Sequence, residues 1–404
     1  MTARPSTSDL PRGFSFAATA CGLKKSALDL ALLVSETPAA AAAMFTTNCV
    51  QAAPVRASQI HLRKSRGKMR GVIVNSGNAN CCTGAEGYAA SAATTQKVAR
   101  EVGHLDPSQI LVCSTGVIGA PLRVEKILRA VPHLVRTRRS TAPAFAQFTR
   151  AIMTTDTRPK WAAAKCRIGG KQVRILGCCK GAGMIQPNMA TMLAFLATDA
   201  AISPALLTLA LRRAVGPTFN SITVDGDTST NDTVAILANG QSGAQKISAQ
   251  GAGFAEFAAA LEKVCRQLAL AIVADGEGAQ RVIEIEVRGA PSAQAADRIA
   301  RTIANSPLVK TALAGADPNW GRILAAAGRA GVSFDFERVD IRLAGLPVCR
   351  RGREHPFDER LAHKKMLAKF VPIVVDLRAG RRSTRLWTCD FTGEYVTINA
   401  SYRT

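Results

Sequence analysis

Apolar and polar positions along the chain follow two periods in alternation. Ile283, Ile285 and Val287 are interleaved with Glu284, Glu286 and Arg288, the two-residue period of a half-exposed strand. Phe257, Leu261, Val264 and Leu268 recur at helical spacing and form one apolar stripe. GVIVNSG at 71–77 reads as a strand entering a loop, and the Ala-rich stretch Tyr88 to Val102 as a helix. Gln109–Cys113 reads as a buried strand, followed by the loop STGVIG at 114–119. Ser203-Pro204 supplies the N-cap and first-turn residues of a helix that runs to about Val215. A helix from about Ser292 to Ala304 follows the strand at 282–288. This order predicts an α/β protein with a smaller C-terminal α/β unit, dividing the chain into 1–280 and 281–404. No fixed-period repeat or long low-complexity tract interrupts it, and the chain reads as folded after about the first ten residues.

Hydrophobic residues make up 47% of the 404, enough for a sizeable core. No apolar run reaches the length of a membrane span without a charge or a Gly/Pro break. The N-terminus MTARPSTSDLPRGF lacks the basic region and apolar stretch of a secretory signal, so a soluble cytoplasmic protein is expected. The 11 cysteines include adjacent pairs at Cys81–Cys82 and Cys178–Cys179 but no C-x-x-C, which favours free buried thiols over a zinc site. The net charge of +23 would suit nucleic acid. The basic clusters at 63–70, 136–139, 350–353 and 378–385 are scattered, however, and three Trp and three Tyr make poor stacking platforms. A solvated basic surface is the better reading.

The chemistry concentrates in Lys180–Ala200, KGAGMIQPNMATMLAFLATDA. Its first half is rich in Gly, Pro and Asn, hence an irregular, constrained loop. From Thr191 to Ala197 it is almost wholly apolar, a buried strand or short buried helix with Thr191 at the junction. A Thr hydroxyl is a weak nucleophile until a base takes its proton. Breaking the bond between Ala190 and Thr191 would place a new α-amine beside Thr191 Oγ. With a reference pKa of about 7.7–8.0, that amine can act as the base near neutral pH. A strained loop holding the Ala190 carbonyl near the hydroxyl would assist the cut.

The segment KGAGMIQPNMATMLAF resembles the cleavage and nucleophile motif of the ornithine acetyltransferase family, also called glutamate N-acetyltransferase. Further family-like blocks run in order along the chain: GLK at 22–24, AAPV at 52–55, VNSGNAN at 74–80, STGVIG at 114–119 and MTTDT at 153–157. TVDGDTSTNDT at 223–233, DGEGA at 275–279, NSPLVKTA at 305–312, DPNWGR at 317–322 and the ending WTCDFTGEYVTINASYRT complete them.

The resemblance implies a layered α-β-β-α sandwich, similar to the amino-terminal nucleophile hydrolases in logic but not in connectivity. It implies self-cleavage into an α chain, 1–190, and a β chain starting at Thr191, associated as α2β2. Thr191 would carry an acetyl ester between the donor N2-acetylornithine and the acceptor glutamate. Some members of the family also take acetyl from acetyl-CoA, and these residues leave both donor types open. Thr115 and Gly116 match the family's oxyanion hole. Substrate contacts map to the pair Thr154–Thr155, to Lys180, Thr191 and Glu277, and to Asn399 and Thr404 near the chain end. Lys180 suits the substrate carboxylate and Glu277 the side-chain ammonium. The segment 223–233 lines the site without the closing Glu of a calcium loop, so neither metal nor cofactor is expected. GRRSTRLW at 380–387 is more basic than the family pattern and leaves local charge pairing open. Two alternatives stand beside this reading. One is a self-cleaving amidase or aminopeptidase that releases the acyl group to water. The other is a basic nucleic-acid-binding protein with steeply salt-dependent affinity.

Overall fold

The computed structural model describes residues 5–186 and 192–401. Ala190, Thr191 and Thr404 lie outside the described residues. Eight strands form one sheet: β1 Phe14–Thr19, β2 Leu30–Phe45, β3 Lys68–Asn78, β4 Ile110–Val117, β5 Lys160–Ile168, β6 Lys171–Lys180, β7 Leu193–Thr198 and β8 Thr233–Ala238. Its hydrogen-bonded order is β4-β3-β2-β8-β7-β6-β5, with β1 paired to β2 off that path. Six helices accompany it: α1 Ala53–Lys64, α2 Gly84–Gly103, α3 Val124–Thr137, α4 Ala142–Ala151, α5 Pro204–Val215 and α6 Ala252–Val273.

The 16-residue β2 folds this sheet into two layers. Its first half pairs with β1 and β3, and its second half, Ala40–Phe45, pairs with β8. Between Val34 and Ala39 the register with β3 shifts, and Pro38, which has no N–H to give a ladder, sits in that shift. The two layers then face each other. Leu33, Val72, Val74 and Leu111 of one meet Leu176, Leu193, Phe195 and Leu237 of the other in a shared core. Because side chains alternate across a strand, the intervening residues build the outer cores. Leu32, Ile73 and Val112 pack under α2 and α3, with Val98 and Ile127 among their partners. Ile175, Leu196 and Ile236 pack under α5 and α6, with Leu211, Leu261 and Leu268. The result is the layered α-β-β-α sandwich.

A second sheet holds β9 Val282–Ala290, β10 Asp340–Leu343, β11 Leu346–Arg350, β12 Arg353–Glu354, β13 Phe370–Asp376 and β14 Arg382–Cys389, in the order β12-β11-β10-β13-β9-β14. Helices α7 Ala293–Ala304, α8 Pro307–Ala314, α9 Trp320–Gly328, α10 Glu359–Met366 and α11 Gly393–Ser401 complete the chain. The alternation of β9 is as its residues predict: Ile283, Ile285 and Val287 are fully buried. Arg385 lies 3.6 Å from Glu284 and 3.5 Å from Glu286, so this one residue of the basic stretch at 380–387 finds charge partners on β9. The segment that precedes β8 meets the second sheet at β14, where Thr223 N donates to Trp387 O at 2.9 Å.

Two expectations require correction. Residues 71–77 do not open into a loop and 114–119 is not loop throughout, because parallel pairing continues through Asn75–Ser114, Ser76–Thr115 and Gly77–Gly116. Residues 7–10 are also more ordered than their composition suggests, with a short 3-10 turn at Thr7–Asp9 and Leu10 buried. Ser203 caps α5 as read, its Oγ accepting from Leu206 N at 3.3 Å. The apolar run after Thr191 is the strand β7, buried along its whole length. Among the described residues, no helix is long and apolar enough to cross a membrane, and all eleven cysteines are free thiols.

Phe195 stands in the core between the layers, edge-on to Phe148 at 5.9 Å. Phe195→Ala should cost about 3–5 kcal/mol, read as a lower urea midpoint at unchanged slope.

Candidate active site

A cavity of about 230 Å³ opens where the two layers and the last helix meet. Its wall has four sides, and the loop at 225–231 adds Asp225, Asp227, Ser229 and Asn231 between them.

The first is the paired ends of β3 and β4. Gly116 has φ +130°, and a Cβ there would lie 2.4 Å from the Gly77 carbonyl carbon. Only glycine lets these two backbones approach so closely. Thr115, 9% exposed, is held at the cavity edge by the same pairing. Asn231, just before β8, ties this wall to the other layer: its Nδ2 donates to Ala79 O at 2.7 Å and to Ser114 O at 2.9 Å.

The second is the loop after α4, carrying Thr154 and Thr155. Asp156 turns back beneath it and accepts from Thr154 N at 2.9 Å. Lys24 Nζ donates to Met153 O at 2.5 Å from the other side. Lys24 is itself presented by a turn whose four successive amides, Cys21 to Lys24, all donate to buried Asp29.

The third is the end of β6 and the loop beyond it. Lys180 is 7% exposed, and its ammonium makes no hydrogen bond with another described residue. Burial pushes its pKa below the usual lysine range, and Lys160 adds to this, against the opposing pull of Asp156 and Glu277. Asp225 clamps the loop by accepting from Met184 N at 2.6 Å and Ile185 N at 2.8 Å. Thr228 Oγ1 donates to Gln186 O at 3.3 Å. On the far side of the residues left undescribed, Met192 O accepts from Thr233 N at 3.0 Å. Both described flanks of the Ala190–Thr191 position are thus fixed beside the cavity wall.

The fourth is Glu277, on the turn between α6 and β9. Its amide donates to Ala182 O at 2.9 Å, and its carboxylate packs so closely on Gly183 that a Cβ there would meet it at 2.3 Å. Asn399 of α11 donates to Glu277 Oε2 at 2.8 Å. Tyr395, one turn earlier, reaches Asp225 Oδ2 at 3.4 Å and stacks on Phe391 with ring centroids 4.6 Å apart.

Thr115, Gly116, Thr154, Thr155, Lys180, Glu277 and Asn399 therefore share one cavity, though they are spread over 285 positions of sequence from 115 to 399. Among the described residues lining it are one cation, Lys180, and three carboxylates, Asp225, Asp227 and Glu277; Lys180 and Glu277 are the buried ones, a pairing that suits an amino acid bearing opposite charges.

The ArgJ family profile matches residues 15–404. The chain belongs to the ArgJ family. The arginine biosynthesis bifunctional protein ArgJ of Thermotoga neapolitana is 45% identical over 399 residues, covering 98% of this chain and 100% of that protein. The protein of the same name from Dehalococcoides mccartyi is 47% identical over 397 residues, covering 98% of this chain and 96% of its own. The crystal structure of arginine biosynthesis bifunctional protein ArgJ from Bacillus halodurans is 42% identical, with a TM-score of 0.51 over 52% of this chain and 100% of that one.

No local sequence pattern assigns a role to the residues beneath the ArgJ-family cavity. Lys160 opens β5 and is 2% exposed, with Nζ 2.5 Å from both Asp156 Oδ1 and Asp275 Oδ2. Asp156 and Asp275 lie in the family-like blocks MTTDT and DGEGA. Lys160 carried no signal, since a lysine at a strand start reads as solvated. Asp225 and Tyr395 likewise lie inside the family-like blocks at 223–233 and 387–404, where their spacing alone points to no task.

Burial raises the Asp156 carboxyl, but Lys160, Lys180 and the Gly181 amide outweigh it and hold the pKa down to about 2. Its contribution to stability is present above the unfolded-state value and lost as pH falls through about 2. Burial lowers Lys160, but Asp156 and Asp275 outweigh it and raise it above the usual lysine range, so its contribution is lost only at strongly alkaline pH. Asp156→Asn should lower stability by about 2–3 kcal/mol near neutral pH, and the gap to the parent should close between about pH 4 and pH 2. Urea midpoints measured across that range check this.

Proposed function

We propose that this ArgJ-family chain is a self-cleaving acyltransferase of arginine biosynthesis that moves acetyl from N2-acetyl-L-ornithine to L-glutamate through an acetyl ester on Thr191. The observation that carries the reading is the cavity itself: one buried ammonium, Lys180, and one buried carboxylate, Glu277, beside the close-packed Thr115–Gly116 edge.

Cleavage comes first. Thr191 Oγ attacks the Ala190 carbonyl, the amide becomes an ester, and water opens it to an Ala190 carboxylate and a free Thr191 α-amine. That amine then takes the proton from Oγ, which attacks the acetyl carbon of the donor. The tetrahedral oxygen accepts hydrogen bonds from Thr115 and Gly116. Collapse expels ornithine, its α-nitrogen taking up the proton, and leaves the ester. The α-amine of glutamate attacks the ester, N-acetylglutamate departs, and Thr191 is restored. Donor and acceptor share an α-carboxylate, so Lys180 serves both half-reactions. The ammonium that Glu277 and Asn399 face belongs to the donor alone. Thr154, Thr155 and Thr404 complete the substrate contacts. The same reading divides the chain into 1–280 and 281–404, places the enzyme in the cytoplasm and assembles it as α2β2.

Mass analysis of the purified protein should show two fragments meeting at Ala190/Thr191, absent in Thr191→Ala. An uncut, active chain would overturn the mechanism. Incubation with acetylornithine and glutamate should yield N-acetylglutamate. Free acetate alone would mark a hydrolase, and acetylglutamate made from acetyl-CoA would add the second donor.

The two charges separate kinetically. Lys180→Met should reduce kcat/KM at least tenfold for acetylornithine and for glutamate. Glu277→Gln should do so for acetylornithine and leave glutamate within about threefold, because charge-assisted contacts are the strong ones. Initial rates with each substrate varied in turn read both.

A further inference from the structure

Three cavity-lining segments that are remote in sequence converge on one buried cluster, two through carboxylates on Lys160 Nζ and the third through the Gly181 amide on Asp156. Asp156 Oδ1 accepts from Lys160 Nζ and from Gly181 N at 2.7 Å, while its Oδ2 holds Thr154 N at 2.9 Å. Asp275 Oδ2 accepts from Lys160 Nζ at 2.5 Å and from Thr157 N at 3.1 Å. Asp275 Oδ1 accepts from Thr157 Oγ1. Glu277 is two residues on from Asp275, and Lys180 immediately precedes Gly181. In register, Lys160 pairs with Cys179, so the strand that carries Lys160 also sets the end of the strand that carries Lys180. The Lys160 side chain is 1% exposed and those of Asp156 and Asp275 0% and 3%, so water cannot substitute for any member.

We infer that the Asp156–Lys160–Asp275 triad is a positioning device that fixes the separation of Lys180 from Glu277 and so measures the length of the donor's side chain. The inference rests on the functional reading above, in which Lys180 takes the α-carboxylate and Glu277 the distal ammonium. A substrate with one more methylene then carries its ammonium past Glu277 or loses the carboxylate contact. A rigid site rejects such a homologue by about 10- to 200-fold, whereas a site whose charged walls drift accepts it. None of the three triad residues lines the cavity, so they act through Lys180 and Glu277.

The test compares kcat/KM for N2-acetyl-L-ornithine with that for N2-acetyl-L-lysine, glutamate being the acceptor. Asp156→Asn is the sharpest variant. Every partner of Asp156 named above is a donor, so wherever the new amide group turns it faces an N–H and releases one tether. Asp275→Asn is the milder variant, because its oxygen can stay on Lys160 while Thr157 Oγ1 reverses its bond. The parent should favour acetylornithine by at least tenfold. Asp156→Asn should reduce that ratio at least fivefold, and Asp275→Asn by less. A merely structural role lowers both rates together and leaves the ratio alone, so partial unfolding cannot imitate the result. A ratio within twofold of the parent in both variants would overturn the inference while leaving the function intact. A parent that transfers nothing from acetylornithine would instead overturn the functional reading, and the inference with it.

Discussion

An ammonium group enclosed by protein costs several kcal/mol in lost hydration unless carboxylates meet it closely. Lys160 meets this constraint with two, both at 2.5 Å. The constraint acts in both directions, because Lys160 is the buried cation that both Asp156 and Asp275 touch, Asp275 having besides it only the half-exposed Arg158 at 3.6 Å as an ion-pair partner among the described residues. Once formed, the cluster leaves its three backbone segments little freedom, since each carboxylate oxygen also accepts from a main-chain amide or from Thr157 Oγ1. A pocket for a doubly charged amino acid needs its own charges at a set distance. Here that distance is inherited from an ion cluster lying beneath the pocket floor.

The sheet explains why those segments come together. The shift at Pro38 lets β2 belong to both layers, so two parallel pairs lie in one hydrogen-bonded path. The C-terminal ends of β3 and β4 then approach the N-terminal ends of β7 and β8. Asn231 bridges them by donating to Ala79 and Ser114. The bond before Thr191 thus belongs to a stretch whose downstream anchor, Met192, hydrogen-bonds to the same strand that Asn231 introduces. Close approach of backbones demands glycine at position 116, where a side chain would strike Gly77.

Much of this was legible in the residues. The alternation at 283–288, the stripe on α6 and the cap at Ser203 depend on local periodicity, and each appears where its spacing predicts. The loop reading of 114–119 was too generous, because Gly and Ser signal turns locally while the ladder that overrides them is made with β3, some forty residues earlier. Charged groups were the least legible. Lys180 and Glu277 read as surface residues without the family resemblance, and Lys160 reads so even with it. What makes a lysine structural is the burial of its partners: Asp156 is only four residues away, but the second carboxylate, Asp275, lies 115 residues on, beyond any local window. Of the scattered basic stretches, the one at 378–385 finds carboxylates remote in sequence, Arg378 on Asp340 and Arg385 on Glu284 and Glu286.

The last helix poses the opposite problem. None of the described residues of α11 is buried, so the hydrophobic effect does little to hold it. Its contacts are specific instead. Tyr395 stacks on Phe391, over which Lys310 places its ammonium at 4.3 Å, and Asn399 donates to Glu277. Lys310 is itself fully buried and held by Thr388 Oγ1 at 2.8 Å. One end of α11 therefore rests on a rigid base in the C-terminal sheet, and the other on a carboxylate inside the cavity. A carboxylate has a limited number of acceptor positions. Any ammonium that reaches Glu277 must share it with Asn399, so occupation of the cavity and the seating of the last helix are linked through a single side chain.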